Sequence, residues 1–415
     1  MPVRLLLKEY FKPSVLLPYL GPAFIVSVGY MDPGNWATDL EGGARFGYQL
    51  LCVLLASNIT AIILQTLSAK LGIATGKDLA QLCRQEFPPW VNLPLWFTAE
   101  IAMMATDLAE FTGSAIAIHL LFDIPLILAV FLTSADVLLI LAMQKYGFRL
   151  FEILIASLVG VVSIAYVFEL FLAKPNLSQI AHHLFVPHLS RESLFVAIGM
   201  LGATVMPHNL YLHSSLSQYH LKGSGAPEKK RTLRFAQIDT LIALNSALFV
   251  NAAILIMSAA VFGSRRLSVT SIDEAHQTLT PLLGSAAGLA FAIALLASGL
   301  SSSTTGTLSG QVVMEGFLQI RLRPWLRRLI TRVLTILPVI IAIAVGYEPI
   351  KLLILSQVIL SFQLPFATVP LILFTSRKDI MGPLVNRPVT KIAVWFLAGC
   401  IIIFNAVLLY FTFRK

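Results

Sequence analysis

Eleven apolar runs, each about the length of a membrane-crossing helix, dominate this 415-residue chain and limit what it can fold into. A bilayer core about 30 Å thick needs about 20 apolar residues in helix. The runs lie near 17–45, 48–73, 93–120, 124–144, 150–173, 192–218, 238–263, 279–303, 327–345, 349–373 and 390–411. Polar stretches separate them, notably 219–237 and 262–278, and none is long enough to hold a second domain. The expectation is an all-α membrane protein with one transmembrane domain over residues 1–415. Composition agrees. Hydrophobic residues make up 57% and charged residues only 12%, against about a quarter charged in soluble proteins. A disordered chain, a collagen-like chain and a typical cytosolic enzyme are excluded. The net charge of +9 comes from few acids, not many bases, which excludes a nucleic-acid reader.

The three cysteines, Cys52, Cys83 and Cys400, form neither a disulfide framework nor a metal motif and read as apolar fillers. The basic N-terminal stretch, Met1 to Lys12, precedes an apolar run with no small-residue cleavage site, so that run reads as the first span. With a cytoplasmic N-terminus, 22 of the 30 basic residues fall on the cytoplasmic side, including Arg327, Arg328 and Arg332. An odd number of spans then puts the C-terminus outside. Helical spans without a β-barrel pattern fit a plasma or inner membrane.

Two spans carry an internal proline beside polar residues. Span one reads Gly29-Tyr30-Met31-Asp32-Pro33-Gly34-Asn35; span six reads Gly202-Ala203-Thr204-Val205-Met206-Pro207-His208-Asn209. Proline removes a backbone donor and breaks the helix. In lipid, unwound backbone is tolerated only where it lines a cavity or is buried in protein. The motifs are five spans apart, so the second runs the opposite way through the membrane. Two broken helices related in this way predict an inverted repeat with a binding site at the midplane.

Asp32 is a carboxylate at membrane depth and so marks a functional site. Asn35 adds an amide oxygen, and carbonyls freed near Pro33 and Pro207 add more, which describes a cation site. The Met206 thioether is soft, and tilts that site from Ca²⁺ or Mg²⁺ toward Mn²⁺, Fe²⁺, Co²⁺ or Cd²⁺. His208 suits a further ligand, a proton acceptor or a partner for freed carbonyls. Glu100, Asp107 and Glu110, spaced 7 and 3, share one face of span three and must be protonated or paired. Their natural partners are Arg327 and Arg328 in span nine. Gln357 in span ten suits a ligand or a helix–helix hydrogen bond. His182 and His183 read as solvated loop residues. The small residues from Ala297 to Ser303 read as helix packing.

Taken together, Asp32-Pro33-Gly34-Asn35, Met206-Pro207-His208, the run Ala105 to Phe111, Leu326-Arg327-Arg328 and Leu355-Ser356-Gln357 resemble the Nramp divalent-metal transporters. The likeness is to the bacterial proton-coupled manganese transporters in particular, and covers nearly the whole chain. It implies a leucine-transporter-type fold: inverted five-helix repeats over about 17–173 and 192–373, broken helices 1 and 6, and an extra helix at about 390–411. It also implies that Asp32, Asn35, Met206 and the carbonyl of Ala203 hold the metal, with Gln357 joining when the site is occluded. His208, Glu110, Asp107 and Arg328 would form the proton route, with Arg327 beside it and Glu100 further along the same row. Relatives that move magnesium lack the methionine; relatives often have alanine where this chain has Gly29.

No nucleotide-binding loop and no nucleophile triad occurs. The expected function is therefore secondary transport of Mn²⁺ or Fe²⁺ into the cytoplasm, driven by protons, and not an enzymatic activity. The rivals are an amino-acid or organic-cation transporter of the same architecture and a passive cation channel. The expected partners are the metal ion, protons and lipid; no resident cofactor, nucleic acid or obligate protein partner is expected.

Overall fold

The computed structural model describes residues 21–133, 135, 148–220, 225–263 and 285–413. The N-terminal segment and the last part of the expected fourth span lie outside them. The described residues are helical, with no strand among them. Among the described residues, seven stretches are long and apolar enough to cross a membrane, including 33–75, 89–122 and 226–261. The chain is a multi-pass membrane protein.

Span one is two helices, α1 (Pro22–Gly29) and α2 (Pro33–Phe46). A short 3-10 turn, Gly47–Leu50, leads into α3 (Leu51–Thr75). The short α4 (Leu79–Glu86) precedes α5 (Pro89–Phe122), and α6 (Leu126–Thr133) opens span four. Span five is α7 (Phe148–Ala173), followed at a 117° bend by α8 (Leu177–Phe185). Span six is again two helices, α9 (Ser193–Val205) and α10 (Pro207–Leu216). Then come α11 (Ala226–Val261), α12 (Ser285–Leu318), α13 (Pro324–Ala344) and α14 (Pro349–Ser376). A one-turn α15 (Lys378–Met381) precedes the last helix, α16 (Pro388–Phe413).

Packing repeats when each span is exchanged for the one five later. α2 lies on α11, and its counterpart α10 lies on α3. α5 lies on α14, and its counterpart α12 lies on α7. α5 and α12 also pack on each other, as an exchanged pair should. This is the inverted five-helix repeat that the two proline motifs predict.

Three departures have physical causes. α12 runs to Leu318, although a polar loop is expected from about 304. Its Ser and Thr hydroxyls bond back to carbonyls three or four residues earlier, as Ser301, Thr307 and Ser309 do, so a polar stretch stays helical and buried. Second, α4 and α8 are eight and nine residues long, too short to give an apolar run. Each is set by its cap. Asp78 and Gln81 form a capping box on α4, and Asn176 accepts from the Ser178 and Gln179 amides at 3.1 and 3.2 Å on α8. Third, Arg327, Arg328 and Arg332 are buried on α13 and are not loop charges. The charge asymmetry must therefore rest on the other basic residues.

Candidate metal site and its charged neighbour

Pro33 cannot donate to the preceding turn, so α1 stops at Gly29 and α2 starts afresh. Asp32 caps that start. Its Oδ1 accepts from the Asn35 amide at 2.8 Å and from Asn35 Nδ2 at 2.7 Å. Its Oδ2 is buried with no hydrogen-bond partner. A buried carboxylate oxygen left open is costly unless something cationic completes it.

Pro207 breaks span six in the same way. Met206, between α9 and α10, has φ 28° and ψ 99°. A positive φ on a residue with a Cβ is strained, and such strain gathers at functional sites. The two breaks meet. Asn35 Nδ2 donates to the Ala203 carbonyl at 3.2 Å. Asn209 Nδ2 donates to the Val26 carbonyl of α1 at 3.3 Å and lies 3.5 Å from Met206 Sδ. Gly29 permits this approach: a Cβ there would stand 2.6 Å from Asn209 Nδ2 and 3.4 Å from Met206 Sδ.

Gln357 of α14 reaches the same place. Its amide occupies the space that a Cβ on Gly34 would take, and its Oε1 is buried without a partner. Asp32, Asn35, Ala203, Met206 and Gln357 thus gather around the paired breaks.

The carbonyls between α1 and α2 have partners on other helices. Tyr30 O accepts from Asn251 Nδ2 at 2.8 Å, and Met31 O accepts from Trp36 Nε1 at 3.2 Å and from the Ser298 hydroxyl. Side chains from three helices, α11, α2 and α12, donate to them. Among the described residues no group of three or more His, Cys, Asp or Glu converges as a metal cage. The paired breaks present one carboxylate, two side-chain amides and a thioether.

Beside it lies the charged row of α5. Arg327 Nη2 meets Glu100 at 2.9 and 3.1 Å. Arg328 pairs with Asp107, and with Glu110 at 3.6 Å. Arg332 also faces Asp107, at 3.6 Å, and Thr335 donates to Asp107 at 2.7 Å. The row is therefore two clusters: Glu100 with Arg327, and Asp107 and Glu110 with Arg328 and Arg332. Gly306 and Gly310 make the room, since a Cβ on either would collide with Glu110 or Arg327. His208 links the row to the break. Its Nδ1 lies 3.3 Å from Thr106 Oγ1, next to Asp107, and its Nε2 has no partner.

Several polar residues escaped the sequence reading. Arg332 was counted as a loop charge, although its spacing of four from Arg328 puts both on one helix face. Asn209 and Asn251 are amides whose partners lie on other helices. His213 Nδ1 lies 2.9 Å from Gln65 Oε1, and Gln65 donates to the Tyr30 hydroxyl at 2.7 Å, which fixes α1 against α3 and α10. Asp39 and Glu169 are also buried, and both Glu169 oxygens lack partners. Trp36 and Tyr166 meet edge to face at 4.9 Å, and Asp39 and Glu169 follow them by one turn each.

The natural resistance-associated macrophage protein-like (Nramp) model matches residues 23–411. The chain belongs to the Nramp family. A relative from Caldanaerobacter subterraneus, named divalent metal cation transporter MntH, is 50% identical over 96% of this chain and 94% of its own length. One of the same name from Nostoc is 52% identical over 95% and 91%. The solved Eremococcus coleocola manganese transporter, in complex with an aromatic bis-isothiourea compound, superposes with TM-score 0.88 at 38% identity. It covers 95% of this Nramp chain and 86% of its own. The transporter Mhp1 shares the fold at 13% identity and TM-score 0.63. These relatives are named as transporters, not enzymes.

Proposed function

We propose that this Nramp protein imports divalent transition metals, Mn²⁺ or Fe²⁺ first and Co²⁺ or Cd²⁺ by the same ligands, with protons as the coupling ion. The observation that carries the reading is the open Asp32 Oδ2 at two helix breaks that also present the Met206 thioether and the open Gln357 Oε1. Asp32, Asn35, the Ala203 carbonyl, Met206 and Gln357 hold the ion as substrate. One carboxylate and neutral donors bind it firmly enough to select and loosely enough to release. The thioether favours transition metals over Ca²⁺ and Mg²⁺.

Protons take a separate route. His208, with an open Nε2 beside the break, exchanges a proton with the row behind it. Asp107, Glu110 and Arg328 carry it on, and Arg327 with Glu100 forms the outer step. Alternating access follows from the two broken helices, whose halves tilt about the breaks. The inverted repeats span about 17–173 and 192–373 of one transmembrane domain. The protein sits in the plasma or inner membrane, N-terminus in the cytoplasm and C-terminus outside.

The test is Mn²⁺ uptake into proteoliposomes, with and without an inward proton gradient and with Ca²⁺ as competitor. Saturable uptake that resists Ca²⁺ and carries protons inward supports the reading. Saturable uptake without proton movement removes the coupling role of the α5 row. Absence of Mn²⁺ uptake overturns the metal site.

A further inference from the structure

A second cluster of metal-binding side chains stands apart from the paired breaks. α8 ends in His182 and His183, and His188 follows in the connection to α9. The ring centroids of His182 and His183 are 5.0 Å apart, those of His183 and His188 5.8 Å, and those of His182 and His188 6.4 Å. Three imidazoles on one tetrahedral ion, with nitrogens at about 2.0–2.1 Å, place their centroids roughly 5–6 Å apart. Two of the three separations fall in that range and the His182–His188 one is wider.

The details favour a ligand. His183 Nδ1 is buried with no hydrogen-bond partner. His183 lines a cavity of about 580 Å³ with Tyr48, Lys174 and Gln179. The nitrogens do not yet converge on one point. His182 and His188 are exposed, so turning their rings costs little.

We propose that His182, His183 and His188 form a surface site for a late first-row divalent ion of the Zn²⁺ class, distinct from the transport site. Imidazole ligands follow the order in which Co²⁺, Ni²⁺, Cu²⁺ and Zn²⁺ bind more tightly than Mn²⁺. The bound ion staples the end of α8 to the segment that enters α9, and so joins the two repeats on the face where α2 ends.

Co²⁺ is the probe, because nitrogen-bound tetrahedral Co²⁺ absorbs visible light far more strongly than the hydrated ion. The full chain is titrated in lipid nanodiscs as wild type, Asp32→Asn, His183→Ala and His188→Ala. The expected result is a visible band at one equivalent in wild type and in Asp32→Asn. It weakens by about 100-fold or more in either histidine variant, is displaced by Zn²⁺ but not by equal Mn²⁺, and fades below about pH 6 as imidazoles protonate. Mn²⁺ uptake in chelator-treated buffer, unchanged in His188→Ala, verifies the fold of that variant. A band that survives both histidine substitutions, or one absent from Asp32→Asn, overturns the proposal.

Discussion

The Asn35 side-chain amide donates to the backbone carbonyl of Ala203 at 3.2 Å, across 168 residues of sequence. This one bond joins the break in span one to the break in span six. Asn35 also holds Asp32 through Nδ2 and accepts from Asn251 at 3.4 Å through Oδ1. The carboxylate is thus aimed by a neighbour that also touches the opposite repeat.

Asp32→Asn separates charge from capping. The amide oxygen still accepts from the Asn35 N–H, so α2 keeps its start; Asp32→Ala loses the cap as well, at about 1 kcal/mol. Mn²⁺ uptake falls to background in both, while only Asp32→Ala unfolds at a lower temperature. Wild-type uptake by Asp32→Asn would move the site elsewhere.

Met206→Ala weakens Mn²⁺ and Cd²⁺ uptake and relatively favours Ca²⁺ and Mg²⁺. Met206→Gly removes the same thioether but suits φ 28°. It matches Met206→Ala in selectivity and is more stable by about 1 kcal/mol. Competition uptake and thermal unfolding read the two effects apart. An unchanged selectivity profile in both would sink the soft-ligand argument.

Arg328→Gln strands buried acids. Asp107 keeps Arg332 at 3.6 Å, and Glu110 loses its 3.6 Å contact with Arg328. Breaking a buried pair from one side costs about 3–5 kcal/mol. A thermal scan shows a lowered transition, and adding Glu110→Gln recovers part of it. Proton uptake stays impaired in the double variant, because the route is still cut. Full recovery of proton uptake would remove Arg328 and Glu110 from the route.

Gly29→Ala puts a methyl 2.6 Å from Asn209 Nδ2. The amide must give up its place between Val26 O and Met206 Sδ. The concentration of Mn²⁺ for half-maximal uptake changes, and Asn209→Ala in the same chain makes the Gly29→Ala effect much smaller. Strict additivity in that double-mutant cycle would show that the two positions do not communicate.

Glu169→Gln tests a carboxylate with no partner on either oxygen. A neutral amide there costs no ionised desolvation. The unfolding temperature at neutral pH is equal to or above that of wild type; a clear drop would reveal a partner for the carboxylate.

Much of this is legible in the sequence because lipid makes polar residues conspicuous. Asp32 beside Pro33 and Met206 beside Pro207 stand out in apolar runs, and their odd spacing in spans encodes the inversion. The α5 acids and the α13 arginines are visible too, but their pairing is not. Only the packing separates Arg327 with Glu100 from Arg328 with Asp107. Amide contacts such as Asn209 to Val26 and Gln65 to Tyr30 depend on tertiary placement and leave no periodic trace. The hydroxyl-rich end of α12 reads as loop because hydropathy cannot register a side chain that bonds its own helix.

Gln357 fills the space where a side chain at position 34 would begin. That position therefore works as a spacer of zero width between α2 and α14. Residues of increasing size there would act as a graded set of wedges, each prising the two helices apart by a known increment. Such a series turns one missing methyl into a ruler. The separation at which uptake stops would measure how closely the two repeats must shut for an ion to pass.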